Sequence, residues 1–339
     1  MTQSPPKTVI LGAGAIGCYL GAIWGNAGIP ITLLGRQSLF ALQKTGLSLS
    51  NGITLSPDDL TSTLSLAKDP AVLAHARLIV ITVKSTAIPQ AIAEIQTHAA
   101  PDTPILCLLN GMKPVRDLRA AFPNRTVLAG MVPYNVVWTD PSTLKRSSVG
   151  DVTLEDAQIT QTLATALSDA VEPIVLSTDI ESVQHGKLLL NLNNPINALS
   201  GKTLFHQLRD RNYRCVYAAT LAEAIDVIEL AGIQHAQSGP LPARKIVKML
   251  RMPNWIFNTL VLPRQKLDPT AQTSMAQDLA AGKPTEIDTI NGEVCHIAAQ
   301  TGQNAPINAR LVDLVKHAEA GGKKTYSGKD LLNALGLNN

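Results

Sequence analysis

The sequence predicts an α/β domain with a doubly wound parallel sheet at residues 1–178, followed by an all-helical domain at residues 179–339. Apolar, β-rich runs alternate with helical patterns in the first half and stop near residue 180, where helical periodicity takes over. The length is that of about two domains, each able to bury its own core. Charged residues make up 16% of the chain, below the roughly 25% of an average soluble protein, which favours a compact enzyme.

Four apolar runs predict strands of the parallel sheet. They lie at Val9–Leu11, 30–35, 78–84 and 104–111, and helical stretches follow the first, third and fourth of them. Strands that alternate with helices form βαβ units, in which the strands run parallel. Because ligands of such sheets bind beyond the carboxyl ends of the strands, we expect the functional residues of this domain there.

A glycine-rich turn follows the first predicted strand. It reads Gly12-Ala13-Gly14-Ala15-Ile16-Gly17 and opens a helical pattern that runs from Ala15 to about Asn26. Gly12 allows a tight turn, Gly14 lets the backbone approach a pyrophosphate, and Gly17 lets helix and strand pack closely. The start of the helix adds amide donors and a positive dipole. This context predicts a Rossmann-type nucleotide-binding domain, with a ligand-free glycine turn as the alternative.

The choice of cofactor is predicted from the end of the second strand. An NAD-preferring site places an acidic residue there for the ribose 2′-hydroxyl, whereas this chain has Arg36. An arginine suits the additional phosphate of NADP(H), and Gln37 and Ser38 are further donors. An arginine that is merely solvated is the alternative.

Two polar residues follow the next strands. Lys84 and Asn110 come at the carboxyl ends of the third and fourth predicted strands, where the ribose and nicotinamide of the cofactor are expected. Each has a plainer interpretation, since Lys84 could be a solubilising charge and Asn110 could form a turn with Gly111.

Helices are predicted throughout the second half, at 180–200, 207–231, 242–262, 270–280, 285–301 and 306–319. Thr285 is expected to cap the helix that begins near it, with Glu286 and Asp288 favouring its dipole, which would explain Glu286 without a role in a site. Residues 240–266 carry six basic residues among aliphatic ones and are interpreted as two solvated amphipathic helices broken at Pro253. Stacking aromatics are scarce there, so no nucleic-acid surface is predicted.

A leucine-rich run at residues 185–201 contains one lysine and four asparagines. On a helix, Lys187, Asn191 and Asn194 fall on one narrow face, and leucines occupy the far side. Pro195 is expected to remove the hydrogen bond to the carbonyl of Asn191 and to bend the helix. The pattern indicates a polar stripe on a buried helix, and a hydrogen-bonded core network with a surface lysine is the alternative.

Taken in order, these motifs resemble those of the ketopantoate reductase (2-dehydropantoate 2-reductase) family over nearly the whole chain. The matching positions are Gly12-x-Gly14-x-x-Gly17, Arg36, Lys84, Asn110-Gly111-Met112, Lys187 with Asn191, and Ser274-Met275 ahead of Glu286-Ile-Asp-Thr-Ile-Asn291-Gly292. The resemblance implies a Rossmann-type domain followed by a helical substrate domain. It also implies transfer of hydride from NADPH to the ketone carbon of a 2-oxo acid.

The resemblance also implies residue roles. Lys187 would be the general acid that supplies a proton to the developing alkoxide, and Asn110 would hold Lys187 and the nicotinamide. Glu286 would hydrogen-bond the reacting oxygen or the lysine. Ser274 would bind the substrate carboxylate, and Asn191 and Asn194 would bind other polar groups of the substrate.

Two departures from the family pattern bear on the substrate. The family usually has a second Asn, followed by Pro, eight residues after the lysine, whereas Asn194 follows Lys187 by seven, which keeps it on the same helical face. The segment from about 235 to 270 is longer than in compact members and could reshape the pocket. The reaction therefore transfers better than the substrate, which is expected to be 2-dehydropantoate. A different branched or bulkier 2-oxo acid, or a non-catalytic NADP-binding sensor, are the alternatives.

The remaining features predict a cytoplasmic protein without a metal site. Residues 8–35 lack charge, but seven glycines, Asn26 and Pro30 break this stretch, so it is not predicted to span a membrane. The four cysteines are scattered and are interpreted as reduced thiols. The expected partner is the small-molecule 2-oxo acid, and a homodimer is possible.

Overall fold

The computed structural model describes residues 5–265 and 267–337, apart from the side chains of residues 61–63. It forms two compact units, Met1–Ile180 and Glu181–Asn339, which are described separately below. The sequence places the domain boundary two residues earlier, between 178 and 179. Lys266, which belongs to the predicted basic segment, lies outside the described residues.

The first unit alternates strands and helices. Its strands are β1 (Thr8–Leu11), β2 (Ile31–Leu34), β3 (Leu47–Leu49), β4 (Thr54–Leu55), β5 (Leu64–Ala67), β6 (Leu78–Ile81), β7 (Ile105–Cys107), β8 (Val127–Met131), β9 (Val136–Asp140), β10 (Thr143–Arg146), β11 (Val152–Glu155) and β12 (Ile174–Ser177). Its helices are α1 (Ala15–Asn26), α2 (Leu42–Thr45), α3 (Pro57–Thr63), α4 (Ile88–His98), α5 (Lys113–Ala121) and α6 (Gln158–Ala166). The predicted strands are β1, β2, β6 and β7.

The main sheet has the order β12-β11-β8-β7-β6-β1-β2-β5. From β5 to β8 all neighbours are parallel, β11 is antiparallel to β8, and β12 runs parallel to β11. The strand order reverses between β1 and β6, and a crevice at such a reversal is where doubly wound sheets bind nucleotides. Every residue of β1 and β6 is buried, as expected for strands that helices cover on both faces. The predicted fold class is confirmed.

A second sheet of order β4-β3-β10-β9 was not predicted from the sequence. Its strands are two to five residues long, and β9 has three exposed residues in a row, so neither apolar runs nor strict alternation reveal it. The strand β9 contacts α1, the helix that follows the glycine-rich turn. This small sheet therefore backs the predicted nucleotide-binding helix.

A buried carboxylate connects this second sheet to α1. Glu172 accepts hydrogen bonds from the hydroxyls of Tyr19, in α1, and Tyr134. Nη1 of Arg146, in β10, lies 2.8 Å from Glu172 Oε2, and the Asn51 amide donates to Oε1 at 3.3 Å. The side chains of Arg146 and Glu172 are only 19% and 12% exposed. Burial, with the nearby carboxylate, raises the pKa of both tyrosines and keeps them as donors.

The second unit is helical. Its helices are α7 (Ile180–Asn191, starting at the last residue of the first unit), α8 (Asn194–Ser200), α9 (Leu204–Arg209), α10 (Arg211–Leu230), α11 (Ala243–Leu250), α12 (Asn254–Ile256), α13 (Ser274–Ala280), α14 (Asn291–Gln300), α15 (Pro306–Glu319) and α16 (Gly328–Ala334). A π-helical turn, Phe257–Val261, and a 3₁₀ turn, Leu262–Gln265, follow α12. The central helix is α10, which contacts α11, α14, α15 and α16.

Several predicted helices are divided in the structure. The one at 180–200 stops at Asn191 and resumes at Asn194, with Pro195 in the first turn of α8, where its missing N–H costs least. The one at 207–231 is split at Asp210, whose carboxylate accepts a hydrogen bond from Asn212 N at 2.9 Å and caps α10. The break expected at Pro253 is present, between α11 and α12.

The predicted helix at 285–301 begins later than expected, at Asn291. Only Ile287–Thr289 forms a 3₁₀ turn before it, and Ile290 has φ −108° and ψ −89°, outside the helical region. The Thr285 hydroxyl accepts the Ile287 N–H at 3.3 Å, at the start of this short turn, and the Thr285 N–H donates to Glu319 Oε1 at 2.6 Å. The continuous helix predicted from Thr285 is wrong, because the backbone at Ile290 interrupts it.

We expect Glu172→Ala to lower the free energy of unfolding by about 3 kcal/mol or more, because Arg146 would keep a mostly buried charge without its carboxylate. Asp117→Ala is the matched control. It removes the Lys113–Asp117 ion pair, which is shorter, at 2.6 Å, but has side chains that are 48% and 39% exposed, and it should cost less than about 1 kcal/mol. Urea unfolding measures both, and equal losses would contradict the structural role of Glu172.

Candidate active site

The first group of predicted site residues lies along one edge of the main sheet. The strands β2, β1, β6 and β7 are neighbours and parallel, so their carboxyl ends share that edge. Gly12 directly follows β1, and Arg36 is the second residue after β2. Lys84 is the third residue after β6, and Asn110 is the third residue after β7. Arg36 and Lys84 are exposed, and Asn110 is half-buried. The structure thus brings these predicted residues to the edge where nucleotides bind.

The glycine-rich turn sits tightly against the end of β6. Gly12 has φ +114°, and a Cβ added to it would lie 2.5 Å from the backbone nitrogen of Val83. A Cβ on Gly17 would lie 2.3 Å from the carbonyl oxygen of Gly12. Both positions therefore require glycine for packing within the protein itself, as the motif predicts.

Gly14 differs from the other two glycines of the motif. Its φ is −82°, and no heavy atom of the described residues, its own chain neighbours aside, lies within 4 Å of where a Cβ would stand. The protein does not need glycine at this position, and the vacant space lies beside the first turn of α1. That turn carries no acidic side chain and has backbone N–H groups without partners inside the helix. The arrangement fits the pyrophosphate of a dinucleotide.

Two residues that support the turn were missed by sequence reasoning. The Thr82 hydroxyl donates to the carbonyl of Gly12 at 2.7 Å and ties the turn to β6. A Cβ on Gly35 would lie 2.6 Å from the Cβ of Ala13, so Gly35 lets the turn approach the end of β2. A glycine at the end of one predicted strand and a hydroxyl near the end of another are the signals that could have revealed them.

The second group of predicted site residues belongs to the helical unit. Lys187 and Asn191 are four residues apart on α7 and therefore share a face. Both are half-buried, whereas the neighbouring Leu188, Leu189 and Leu192 are buried. Burial lowers the pKa of Lys187 from 10.5 to about 8. A lysine in this environment gives up a proton near neutral pH, as a general acid must.

The four asparagines divide into two pairs. Asn193 and Asn197 are 8% and 0% exposed, and both bond to the buried Gln207 of α9. Asn191 and Asn194 are half-buried. Asn193 is thus committed to the core, and Asn194 is the partly accessible amide after Lys187. The polar stripe and the core network, two alternatives at the level of sequence, are both present on different residues.

The core network also positions Ser274. The Asn197 side-chain oxygen accepts the Thr273 N–H at 3.0 Å, and the Thr273 hydroxyl reaches the carbonyl of Asn194 at 3.4 Å. Thr273 caps α13, accepting from Ala276 N at 3.3 Å, so Ser274 becomes the first residue of that helix. Ser274 is therefore held close to Asn194. Neither Thr273 nor Asn197 was predicted from the sequence.

Glu286 lies directly before the 3₁₀ turn, half-buried, and its carbonyl accepts the Thr289 hydroxyl at 3.0 Å. Within the described part of the chain, its side chain forms no capping hydrogen bond with that turn. The dipole role expected of Glu286 concerned a helix starting beside it, whereas α14 begins five residues later, at Asn291. The turn packs against α15, and α15 packs against α8, which carries Asn194.

The features of the two units together define a class of protein. A nucleotide-binding sheet edge and a half-buried lysine among amides are the parts of a nicotinamide-dependent oxidoreductase. Among residues 5–265 and 267–337, no three His, Cys, Asp or Glu side chains are grouped so as to hold a metal ion. None of the described helices has both the length and the apolar character needed to cross a membrane.

Comparison with known families agrees with this class. The profile of ketopantoate reductase PanE/ApbA matches residues 8–158, and that of its C-terminal region matches residues 179–319. The chain therefore belongs to the ketopantoate reductase family. Curated relatives include the 2-dehydropantoate 2-reductases of Halobacterium salinarum, 26% identical over 93% of this chain and all of that protein, and Pyrococcus horikoshii, 27% identical over 94% and 100%.

Solved structures share the fold. A PanE/ApbA family ketopantoate reductase from Ralstonia eutropha is 25% identical, covers 93% of this chain and 99% of its own, and has a TM-score of 0.77. A D-mandelate dehydrogenase solved with NADH and anilino(oxo)acetate is 21% identical over 93% and 99%, with a TM-score of 0.74. The second likeness is one of fold alone.

Substitutions in the glycine-rich turn should separate folding from nucleotide binding. Gly14→Ala fits the free protein, so we expect its stability to change by less than about 1 kcal/mol, whereas its dissociation constant for the nucleotide should rise at least about tenfold. Gly12→Ala is the contrasting variant, because its positive φ alone costs about 1–3 kcal/mol before the contact with Val83 is counted. Thermal unfolding and calorimetric titration measure the two effects. Normal binding by Gly14→Ala would refute the pyrophosphate site.

Proposed function

We propose that this protein catalyses the NADPH-dependent reduction of a 2-oxo acid to a 2-hydroxy acid, with 2-dehydropantoate as the substrate and pantoate as the product. The observation that carries the proposal is Lys187, which is half-buried, has a pKa lowered to about 8, and shares a helix face with Asn191. Membership of the ketopantoate reductase family supports the same reaction.

The cofactor would be held by the first unit. The first turn of α1 and the space beside Gly14 would take the pyrophosphate, and Arg36 would pair with the 2′-phosphate. Lys84 and Asn110 would contact the ribose and nicotinamide portions along the same sheet edge. NADPH, when bound, supplies the hydride that reaches the ketone carbon.

The helical unit would handle the proton and the substrate. As negative charge develops on the ketone oxygen, the Lys187 ammonium donates a proton to it, and the neutral amine left behind recovers a proton from solvent. Asn110 would hold Lys187, and Glu286 would hydrogen-bond the lysine or the reacting oxygen. The Ser274 hydroxyl would bind the substrate carboxylate. Fixed donors of this kind stabilise a developing alkoxide better than mobile water does.

The Asn191 and Asn194 amides would bind the remaining polar groups of the substrate. Pantoate and its ketone carry a hydroxyl beside a branched carbon, and partly accessible amides can both donate to it and accept from it. The names of the curated relatives support 2-dehydropantoate as the substrate. The second candidate is a bulkier 2-oxo acid, favoured by the long segment at 235–270 and by the fold shared with D-mandelate dehydrogenase.

Absorbance at 340 nm, followed with NADPH and a panel of 2-oxo acids, tests the reaction and the substrate. We expect the highest kcat/KM with 2-dehydropantoate. A clear preference for an aryl or bulkier 2-oxo acid would replace the substrate and keep the reaction. A lack of turnover with every acid, combined with tight NADPH binding, would instead indicate an NADP-binding sensor.

Lys187→Ala should reduce kcat by about 10²- to 10⁴-fold and leave NADPH affinity nearly unchanged, because a positioned acid is lost. In the unsubstituted enzyme, activity should fall as the pH rises through about 8, where Lys187 loses its proton, and this alkaline limb should be absent from the variant. Lys329→Ala removes an exposed lysine of α16 and is the control. A near-normal rate for Lys187→Ala would disprove the assignment.

Arg36→Ala should weaken NADPH binding by about 1.5–3 kcal/mol, the range for hydrogen bonds to a charged group, and hardly affect NADH. Arg77→Ala is matched to it, since Arg77 is an equally exposed arginine at the amino end of β6, away from the nucleotide edge. Dissociation constants for both cofactors provide the measurement. Equal losses for NADPH and NADH would show that Arg36 does not recognise the 2′-phosphate.

A further inference from the structure

One face of the helical unit carries exposed cations and apolar side chains that the proposed reaction does not use. Residues 230–267 contain no Asp or Glu, yet they include six Lys and Arg residues. Within the described part, this segment forms α11, α12 and the turns that follow. We call its outer surface the basic face, comprising Lys245, Lys248, Arg251, Trp255, Leu260 and Arg264.

The helix α11 uses its apolar side internally. Val247 and Leu250 are buried, and α11 packs against α10. Lys245, Lys248 and Arg251 recur every three residues on the opposite side, and all three are exposed. The outward surface of this helix is therefore cationic.

Two large apolar side chains stand out beyond Pro253. Trp255 is 73% exposed and Leu260 is 51% exposed, whereas Trp24 is 1% exposed. Single exposed apolar residues are ordinary, but here a tryptophan of α12 and a leucine of the π-helical turn after it are both exposed, close in sequence to a row of cations. Tryptophan in such a position has an apolar body and a polar N–H, which suits a boundary between water and hydrocarbon.

The turn that bears Trp255 is held from inside by a buried arginine. Arg214, which is 0% exposed, donates to the carbonyls of Leu250 at 3.1 Å and Met252 at 2.8 Å, and to Asn254 Oδ1 at 3.1 Å. Its guanidinium also lies 4.1 Å from the centre of the buried Phe257 ring. Arg214 therefore holds the chain before Trp255 by hydrogen bonds and the Phe257 ring after it by packing, so the exposure of Trp255 is built into the fold.

Further cations adjoin the basic face. Arg211 Nε donates to the carbonyl of Arg251 at 3.3 Å, and Asn258 donates to the carbonyl of Arg209 at 3.2 Å, so the exposed Arg209 and Arg211 lie beside it. Arg244 differs because it pairs with Asp226 and Glu229 at 2.8 and 2.6 Å, and its charge is neutralised there.

We propose that the basic face binds an anionic phospholipid surface, with Trp255 and Leu260 entering the boundary between headgroups and acyl chains. Lysines and arginines around an apolar tip are complementary to lipid phosphates in charge and to the interface in polarity. A nucleic acid is disfavoured because the exposed neighbours of the cations are mainly aliphatic, and Trp255 is the single exposed aromatic ring among the described residues of 230–267. A second copy of the chain is disfavoured because two such faces would bring like charges together.

Co-sedimentation of the full chain with phosphatidylcholine vesicles, with and without phosphatidylglycerol, tests the proposal. We expect binding to the anionic vesicles alone, weakening as salt is added. In a Trp138→Phe background, Trp255 emission should shift to shorter wavelength on binding, because the other tryptophan, Trp24, is already buried. Emission that does not change with vesicles would contradict insertion of Trp255.

Matched substitutions assign the surface. Trp255→Ser and the pair Lys245→Glu with Lys248→Glu should each weaken binding at least about tenfold. Trp138→Ser and the pair Lys324→Glu with Lys329→Glu remove an exposed tryptophan and exposed lysines elsewhere and should leave it unchanged. Reductase turnover should be the same in all of them.

Three results would overturn the proposal. One is equal binding to neutral and anionic vesicles. Another is duplex DNA binding that the lysine substitutions abolish while vesicle binding is absent. The last is a dimer, detected by light scattering, that Trp255→Ser converts to a monomer, which would make the basic face an interface between copies.

Discussion

The close approach of the glycine-rich turn to the end of β6 is the constraint on which the nucleotide-binding unit depends. Gly12 lies so near Val83 that any side chain would collide with backbone, and the Thr82 hydroxyl bonds to the same turn. The contact joins the two strands between which the sheet order reverses. It thereby fixes the start of α1 beside the carboxyl ends of β1 and β6. Gly14, which the protein itself does not require, is left facing the space for a ligand.

The helical unit depends on an interruption rather than on a contact. Between Asn191 and Asn194 the helix breaks, and Pro195 starts the next one without an unmet hydrogen bond. The break lets Asn193 turn into the core toward Gln207 while Asn194 remains partly accessible. The same core network fixes the start of α13. Buried amides thus position the accessible ones, which is the arrangement that a site with precise polar geometry needs.

Buried charged groups organise the outer elements of both units. Glu172 accepts hydrogen bonds from two tyrosines and pairs with Arg146, and these contacts connect the small sheet to α1. Arg214 donates to the carbonyls of Leu250 and Met252, before Pro253, and to the side-chain oxygen of Asn254, after it. A buried charge is tolerated only when all its hydrogen bonds are made, so each of these groups fixes the geometry of several loops at once.

The sequence by itself determined the βαβ order, the glycine-rich turn, the spacing of Lys187 and Asn191, and the family. These features are local, because strand and helix periods and the steric demands of glycine act over a few residues. The tertiary structure decided which asparagines are buried, where α14 begins, that the second sheet exists, and how far the pKa of Lys187 falls. Burial and side-chain pairing depend on partners distant in the chain, such as Gln207 for Asn193, and burial by remote elements leaves no periodic signal in a sequence.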